Sequence, residues 1–213
     1  MLFRSLFDLD GTLIDSLPAV EASWQIWADA QRLPMPTTAM HGLTARDLVE
    51  RMGVRPALRP ESERLLESIE ARPDQRILPM PGAIEMLTAI PPGRWGIVTS
   101  ATRLVARRRI SASGIDTPEI FITGDDVSAG KPDPEGFRRG IQALQRRPAV
   151  APVLCLEDST AGASAAYAAG GLTVAVSAGV ASADGIAHLA VPSLEAIACA
   201  TDADTGALTV RLR

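Results

Sequence analysis

The sequence predicts an α/β protein: a Rossmann-like, doubly wound parallel sheet covered by helices, with a helical segment inserted after its first strand. Three observations predict it. Short apolar runs of strand length alternate with helix-length stretches from residue 82 to residue 176, the pattern of a parallel sheet buried on both faces. The apolar run at 2–7 stops at Asp8 and then at Gly11, as a buried strand does where it opens into a functional loop. Three helical patterns then follow one another with no strand among them, which marks an insert.

Along the chain, residues 16–31 space Val20, Trp24, Ile26, Trp27 and Ala30 at helical intervals, with Asp15 or Ser16 available as cap and Pro18 inside the first turn. Further helices are expected over 44–52 and 60–70, after which Arg72, Pro73 and Asp74 break the pattern. Pro79, Met80, Pro81 and Gly82 mark the return to the core. The core then reads helix 82–90, strand 95–99, helix 103–113, strand 120–123, helix 134–144, strand 153–156, helix 160–169 and strand 172–176. The tail from Thr201 is expected to end in a short edge strand at 208–212. These readings divide the chain into a core of residues 1–14 and 80–213 and a helical cap of residues 15–79.

A chain of 213 residues holds one catalytic core and a small insert, and 46% hydrophobic against 22% charged residues lets that core be buried. The net charge of −4 sets up no field that would gather nucleic acid or an anionic membrane. No apolar run reaches the roughly 18 residues of a membrane span, and acidic residues follow from Asp8 onward before a signal-peptide core could form. The expectation is a cytoplasmic protein, monomer or homodimer, with no nucleic-acid or membrane partner. Cys155 and Cys199 are too few for a disulfide framework and read as small buried thiols. Lys131 is the only lysine among 21 basic residues, so lysine chemistry has one place to occur.

In an open parallel sheet, ligands bind beyond the carboxyl ends of the strands. The polar residues just past each expected strand are Asp8 with Asp10, Thr99 with Ser100, Lys131, and Glu157 with Asp158. Four carboxylates cannot share a small rim without compensation, so a cation is implied. All-oxygen ligation suits Mg2+, which keeps waters and a phosphate in its shell. A phosphoryl group would complete the set: the metal and Lys131 neutralise its oxygens, Ser100 donates a hydrogen bond and a carboxylate attacks.

Four segments carry a resemblance. FDLDGTLIDS at 7–16, VTSAT at 98–102, GKPDP at 130–134 and LEDSTAG at 156–162 resemble, in order, the four signatures of the haloacid dehalogenase superfamily. The resemblance implies that Asp8 is the nucleophile that becomes an aspartyl phosphate, and that Asp10 is the general acid and then the general base. It also implies that Asp8, the main-chain oxygen of Asp10, and Asp158 hold magnesium, with Glu157 ligating directly or through water. Ser100, Lys131 and the main-chain NH groups of Leu9 and Ala101 are implied as the phosphate cradle.

Within that family the insert resembles a small helical cap, and the turn at His41 and Gly42, with Thr44 and Arg46 following, lies where relatives place the loop that selects the leaving group. WGIVTSATR at 95–103 and FITGDDVSAGKPDPEGF at 121–137 look most like phosphatases of sugar and polyol phosphates, deoxyglucose phosphate and hexitol phosphate phosphatases included. A β-phosphoglucomutase-like phosphotransferase is the alternative. Such enzymes use basic cap residues, including a lysine, whereas residues 15–79 hold no lysine and put Ala45 beside Arg46 where the arginine is expected. Phosphonoacetaldehyde hydrolase chemistry lacks its cap lysine for the same reason. A non-catalytic protein that senses a phosphometabolite is the alternative of another class, and it would not need the proton donor Asp10. Other residues carry ordinary structural readings: Asp15 as a cap or hinge of the insert, Trp24 and Trp27 as insert core, Arg107, Arg108 and Arg109 as a solvated helix face, and Asp125 and Asp126 as solvated loop residues.

Overall fold

The computed structural model describes residues 4–72, 77–145, 152–176, 185–201 and 208–212. In order, its elements are β1 (Arg4–Phe7), β2 (Ile14–Asp15), α1 (Leu17–Gln31), α2 (Ala45–Arg51), α3 (Arg59–Glu70), β3 (Leu78–Pro79), α4 (Ala83–Ala89), β4 (Trp95–Val98), α5 (Arg103–Ser113), β5 (Ile120–Ile122), α6 (Glu135–Gln145), β6 (Val153–Glu157), α7 (Thr160–Ala168), β7 (Leu172–Val176), β8 (Leu189–Val191), β9 (Ile197–Thr201) and β10 (Leu208–Leu212).

Six strands form one parallel sheet in the order β5-β4-β1-β6-β7-β8. Every residue of β1, β4 and β6 is buried, which is why these strands do not alternate apolar with polar residues and are apolar but for Arg4 and Ser5 in β1 and Glu157 at the end of β6. Leu6, Val98, Phe137, Leu144 and Cys155 pack together on one side, where α6 and α7 lie over the sheet. Phe7, Leu9, Ile97, Ile110, Leu156 and Val174 belong to a second, larger cluster that also takes in α4 and α5 residues. Strand order reverses at β1, whose neighbours are β4 and β6. The crevice at that switch point is where an open α/β sheet binds its ligand.

The helices α1, α2 and α3 run between β2 and β3, a two-residue antiparallel pair that matches Ile14 with Pro79 and Asp15 with Leu78. They bury their own apolar cluster, built on Val20, Trp24, Trp27, Leu48, Val49, Leu66 and Ile69. The indole of Trp27 donates to the main-chain oxygen of Ser62 at 3.2 Å and to its hydroxyl at 3.0 Å, so the one polar atom of a fully buried ring is satisfied. Thr44 caps α2 by accepting the amide of Asp47 at 3.1 Å. Ser16 precedes α1 but makes no cap hydrogen bond, because its hydroxyl is turned to Asp10 at 2.6 Å. Asp15 lies exposed in β2.

Expected and observed elements differ by a residue or two at their ends, with three exceptions. The strand expected in the tail is present, but it pairs antiparallel with β9 and not with the large sheet. Neither β8 nor β9 was expected, and the two-residue strands β2 and β3 are too short to leave a period in the sequence. Residues 2, 3, 73 and 74, which entered the expected first strand and helix break, lie outside the described residues.

Candidate active site

Three parallel strands deliver the site. Beyond the end of β1 stands Asp8, beyond β4 come Thr99 and Ser100, and β6 ends in Glu157 with Asp158 next. Lys131, in the loop between β5 and α6, extends under this rim and donates to both Asp8 and Glu157. Its side chain is 6% exposed, and those of Asp8 and Glu157 are 8% and 0% exposed. The ammonium also lies 5.4 Å from the centre of the Phe137 ring. Burial by itself would depress the Lys131 pKa, but the Asp8 and Glu157 charges outweigh it and keep the ammonium protonated.

One cation faces more than one anion here. Carboxylate oxygens of Asp8, Glu157 and Asp158 lie within 4.8 Å of one another. Burial, and then repulsion from Glu157 and Asp158 that Lys131 only partly offsets, holds the Asp8 carboxyl well above its usual range. Burial and the Glu157 charge push Asp158 up to about 7, although the Thr12 hydroxyl donates to it at 3.1 Å. Glu157 is further braced by the amide and hydroxyl of Ser159, both at 2.9 Å. The loop after β1 is built to fit this cluster: Gly11 has φ +85°, and a Cβ there would run into the Asp158 carboxylate. A largely buried, all-oxygen set with surplus negative charge fits a small divalent cation.

Asp10 lines the same cavity as Asp8, but its side chain stands apart from the three clustered carboxylates. Its Oδ1 accepts from Ser16 at 2.6 Å and from Arg109 Nη1 at 2.9 Å. Arg109 corrects the sequence reading of Arg107, Arg108 and Arg109 as a solvated face: 107 and 108 are exposed, whereas the Arg109 side chain is 4% exposed. The reason is helical phase. Val105, Ala106, Arg109 and Ile110 share the buried face of α5, a helical spacing that the sequence itself carries. Its second carboxylate partner is Glu70, the last residue of α3, at 3.4 Å from Nη2.

Among the phosphate-cradle expectations, the Ser100 hydroxyl donates to the main-chain oxygen of Gly42 at 2.6 Å, tying the rim to the turn after the first insert helix. The Ala101 amide donates to the Thr99 hydroxyl at 3.1 Å, and Leu9 is fully buried with its carbonyl accepting the amides of Leu13 and Ile14. His41 and Gly42 face the cavity with Asp8. The His41 ring stacks on Trp24 with centroids 4.8 Å apart, and its Nε2 is 3.1 Å from Glu21 Oε1. Gly42 takes φ +83° and passes so close to Ser159 that a Cβ would lie 2.6 Å from its hydroxyl.

Thr44 and Arg46 do not line that cavity. Thr44 is spent on its cap and on a 2.6 Å bond to Asp47, and Arg46 donates outward to the Ser128 carbonyl at 2.8 Å. Asp125 and Asp126 are bound and not merely solvated: Asp125 accepts the Arg103 amide at 2.8 Å, and Asp126 pairs with Thr123 and the Arg103 guanidinium. Cys155 is a free, buried thiol raised to about 12 by burial and then by the Glu157 charge, so it stays protonated. The Cys199 side chain lies outside the described residues. Among the described residues no helix is long and apolar enough to cross a membrane.

Residues 5–176 match the family model of a haloacid dehalogenase-like hydrolase. The chain is 38% identical over 185 residues to hexitol phosphatase A of Escherichia coli, covering 81% of this chain and 82% of the relative. It is 32% identical over 180 residues to glycerol-1-phosphate phosphohydrolase 2 of Saccharomyces cerevisiae, covering 78% and 71%. Among solved structures, a hydrolase from Pseudomonas syringae superposes with a TM-score of 0.77 at 25% identity, covering 91% of this chain and 94% of the other.

Proposed function

The chain belongs to the haloacid dehalogenase-like hydrolases, and on that footing we propose that it is a magnesium-dependent phosphatase of small phosphorylated sugars or polyols, working through an aspartyl phosphate on Asp8. The observation that carries the reading is the convergence of Asp8, Lys131, Glu157 and Asp158 at the switch point of the sheet, beside a cavity that Asp10 and Ser100 also line. Relatives with 38% and 32% identity are a hexitol phosphatase and a glycerol-1-phosphate phosphohydrolase, which supports a polyol-like leaving group. Residues 15–79 act in this reading as the cap, which excludes water from the site and selects the ester.

In the first step a carboxylate oxygen of Asp8 bonds to phosphorus as the ester P–O bond breaks, and Asp10 gives its proton to the departing alkoxide. In the second, Asp10 takes a proton from water as the water oxygen bonds to phosphorus, and the bond to Asp8 breaks to release inorganic phosphate. Lys131 and Ser100 hold phosphoryl oxygens in both steps. Asp8, Asp158 and the main-chain oxygen of Asp10, with Glu157 directly or through water, would hold magnesium, which when bound supplies charge neutralisation to the phosphoryl group. The Gly42 and His41 turn contacts the leaving group. A panel of phosphorylated sugars, polyols and nucleotides, with product analysis, tests the reading: inorganic phosphate and a phosphorylated Asp8 peptide from small polyol or sugar esters are expected. An isomerised sugar phosphate as the main product would favour a mutase, and absence of turnover with every ester would favour a sensor.

Metal binding has a signed pH dependence. Asp158 in the metal-free fold is raised from 3.8 to about 7 and Asp8 is also raised. The folded chain therefore binds these protons more tightly than the unfolded chain does. The Asp158 contribution to stability is full below 3.8 and drains away as pH climbs through about 7, and that of Asp8 is lost in the same direction as pH climbs through its own raised value. Magnesium has to displace the same protons. Its gain in melting temperature is expected to be larger at about pH 8 than at about pH 5.5; equal gains at both would count against these carboxylates as the metal site.

A further inference from the structure

Arg109 is a buried cation beside the cavity that the proposed chemistry leaves unused. It reaches two carboxylates from different parts of the chain: Asp10 in the loop after β1, at 2.9 Å, and Glu70 at the end of α3, at 3.4 Å. All three side chains are at most 18% exposed, and Arg109 and Glu70 line the same cavity as Asp8 and Asp10. The guanidinium is not saturated, since its Nε and Nη2 are buried without a hydrogen bond among the described residues. A buried arginine left partly unsatisfied is costly to keep. Two carboxylates from different elements meet its two terminal nitrogens, so the arrangement reads as a joint and not as a packing accident.

We propose that Arg109 is a positioning residue for the acid/base group, and that Glu70 aims it. Ser16 and Arg109 both donate to Asp10 Oδ1. Two donors on one oxygen fix the plane of the carboxyl group and leave Oδ2 as the oxygen that gives and takes the proton. Glu70, the last residue of α3, ties the insert to the core through the other terminal nitrogen of the same guanidinium. Seating the three helices and orienting Asp10 are therefore one event. The inference rests on the reading of Asp10 as general acid and base.

Leaving-group chemistry separates this role from a merely structural one. An alkoxide needs the Asp10 proton to depart, whereas a p-nitrophenolate does not, so only the alkyl ester reports on Asp10 in the first step. Rapid-quench measurement of phosphoenzyme formation from glycerol phosphate and from p-nitrophenyl phosphate reads both. Arg109→Met is expected to slow transfer from the alkyl ester by about 10²-fold, with the aryl ester within about threefold. Its KM is expected to stay near the wild-type value. Arg109→Lys should recover part of the loss, because an ammonium keeps the charge but not the two-sided fork, and Glu70→Gln should give a smaller loss of the same sign. Arg108→Met, on the exposed face of α5, should change neither ester. If Arg109→Met fails to fold, the alkyl-to-aryl ratio in Arg109→Lys and Glu70→Gln decides. Equal losses on both esters, or none, overturn the proposal. A wild-type enzyme that forms no phosphoenzyme from either ester overturns instead the underlying reading of the reaction.

Discussion

Replacing Asp8 with asparagine is expected to abolish turnover while leaving the protein folded. The amide has the volume of the carboxylate but no charge with which to attack phosphorus, and losing a nucleophile typically costs on the order of 10⁴- to 10⁶-fold in kcat. No phosphoenzyme should form. The structure adds a second expectation about stability. Asp8 is buried, and its charge is opposed by that burial and by Glu157 and Asp158. Removing it relieves part of this opposition, and Lys131 still keeps Glu157 as a partner. Metal-free Asp8→Asn is therefore expected to melt no lower than metal-free wild type, and to lose most of the gain that magnesium brings. Intact-mass analysis after incubation with substrate, together with melting curves with and without the metal, checks both. A variant that still turns over and still carries phosphate would remove Asp8 from the mechanism.

The sheet was legible because its central strands are buried on both faces and so leave short, mostly apolar runs, interrupted only by Arg4, Ser5 and Glu157 and each followed by a polar loop. The same geometry made the core of the site legible, since whatever follows β1, β4 and β6 must meet at one rim. What escaped has physical reasons. The pairs at Ile14 with Pro79 and Asp15 with Leu78 are set by the chain leaving and re-entering the core, not by a local period. The strand Leu189–Val191 has two exposed residues and one buried, too little apolar burial to mark it.

Side-chain destinations were harder to read than backbone. Thr44 and Arg46 sit within a few residues of the cavity, yet one serves as a helix cap and the other turns to the Ser128 carbonyl. Arg109 went the other way. In a run of three arginines charge suggests water, but helical phase places the third on the face shared with Val105 and Ile110. It is tolerated there because Asp10 and Glu70 are brought to it by other elements, which a reading of α5 alone cannot supply. Trp24 and Trp27 joined the insert core as expected, and Trp24 in addition carries the His41 ring at the cavity wall.

Replacing Lys131 with methionine should damage both stability and chemistry, and the two losses should respond differently to metal. Lys131 is the cation between Asp8 and Glu157, and all three side chains are at most 8% exposed. Methionine fills much of the same volume but leaves two buried carboxylates facing each other, and breaking such a pair by deleting one partner costs about 3–5 kcal/mol. Magnesium can restore part of that by neutralising Asp8, so the melting temperature is expected to recover partially when it is added. Turnover is not expected to recover with it. A charge-assisted hydrogen bond contributes about 1.5–3 kcal/mol, so inorganic phosphate should inhibit the variant roughly 10- to 100-fold more weakly. Arg107→Ala, on the exposed face of α5, should leave both quantities unchanged. If the two substitutions weaken phosphate inhibition equally, Lys131 is a scaffold for Asp8 and Glu157 and not a ligand of the phosphoryl group. If magnesium restores turnover along with stability, the ammonium contributes only charge balance at rest, and the metal alone carries the transferring oxygens.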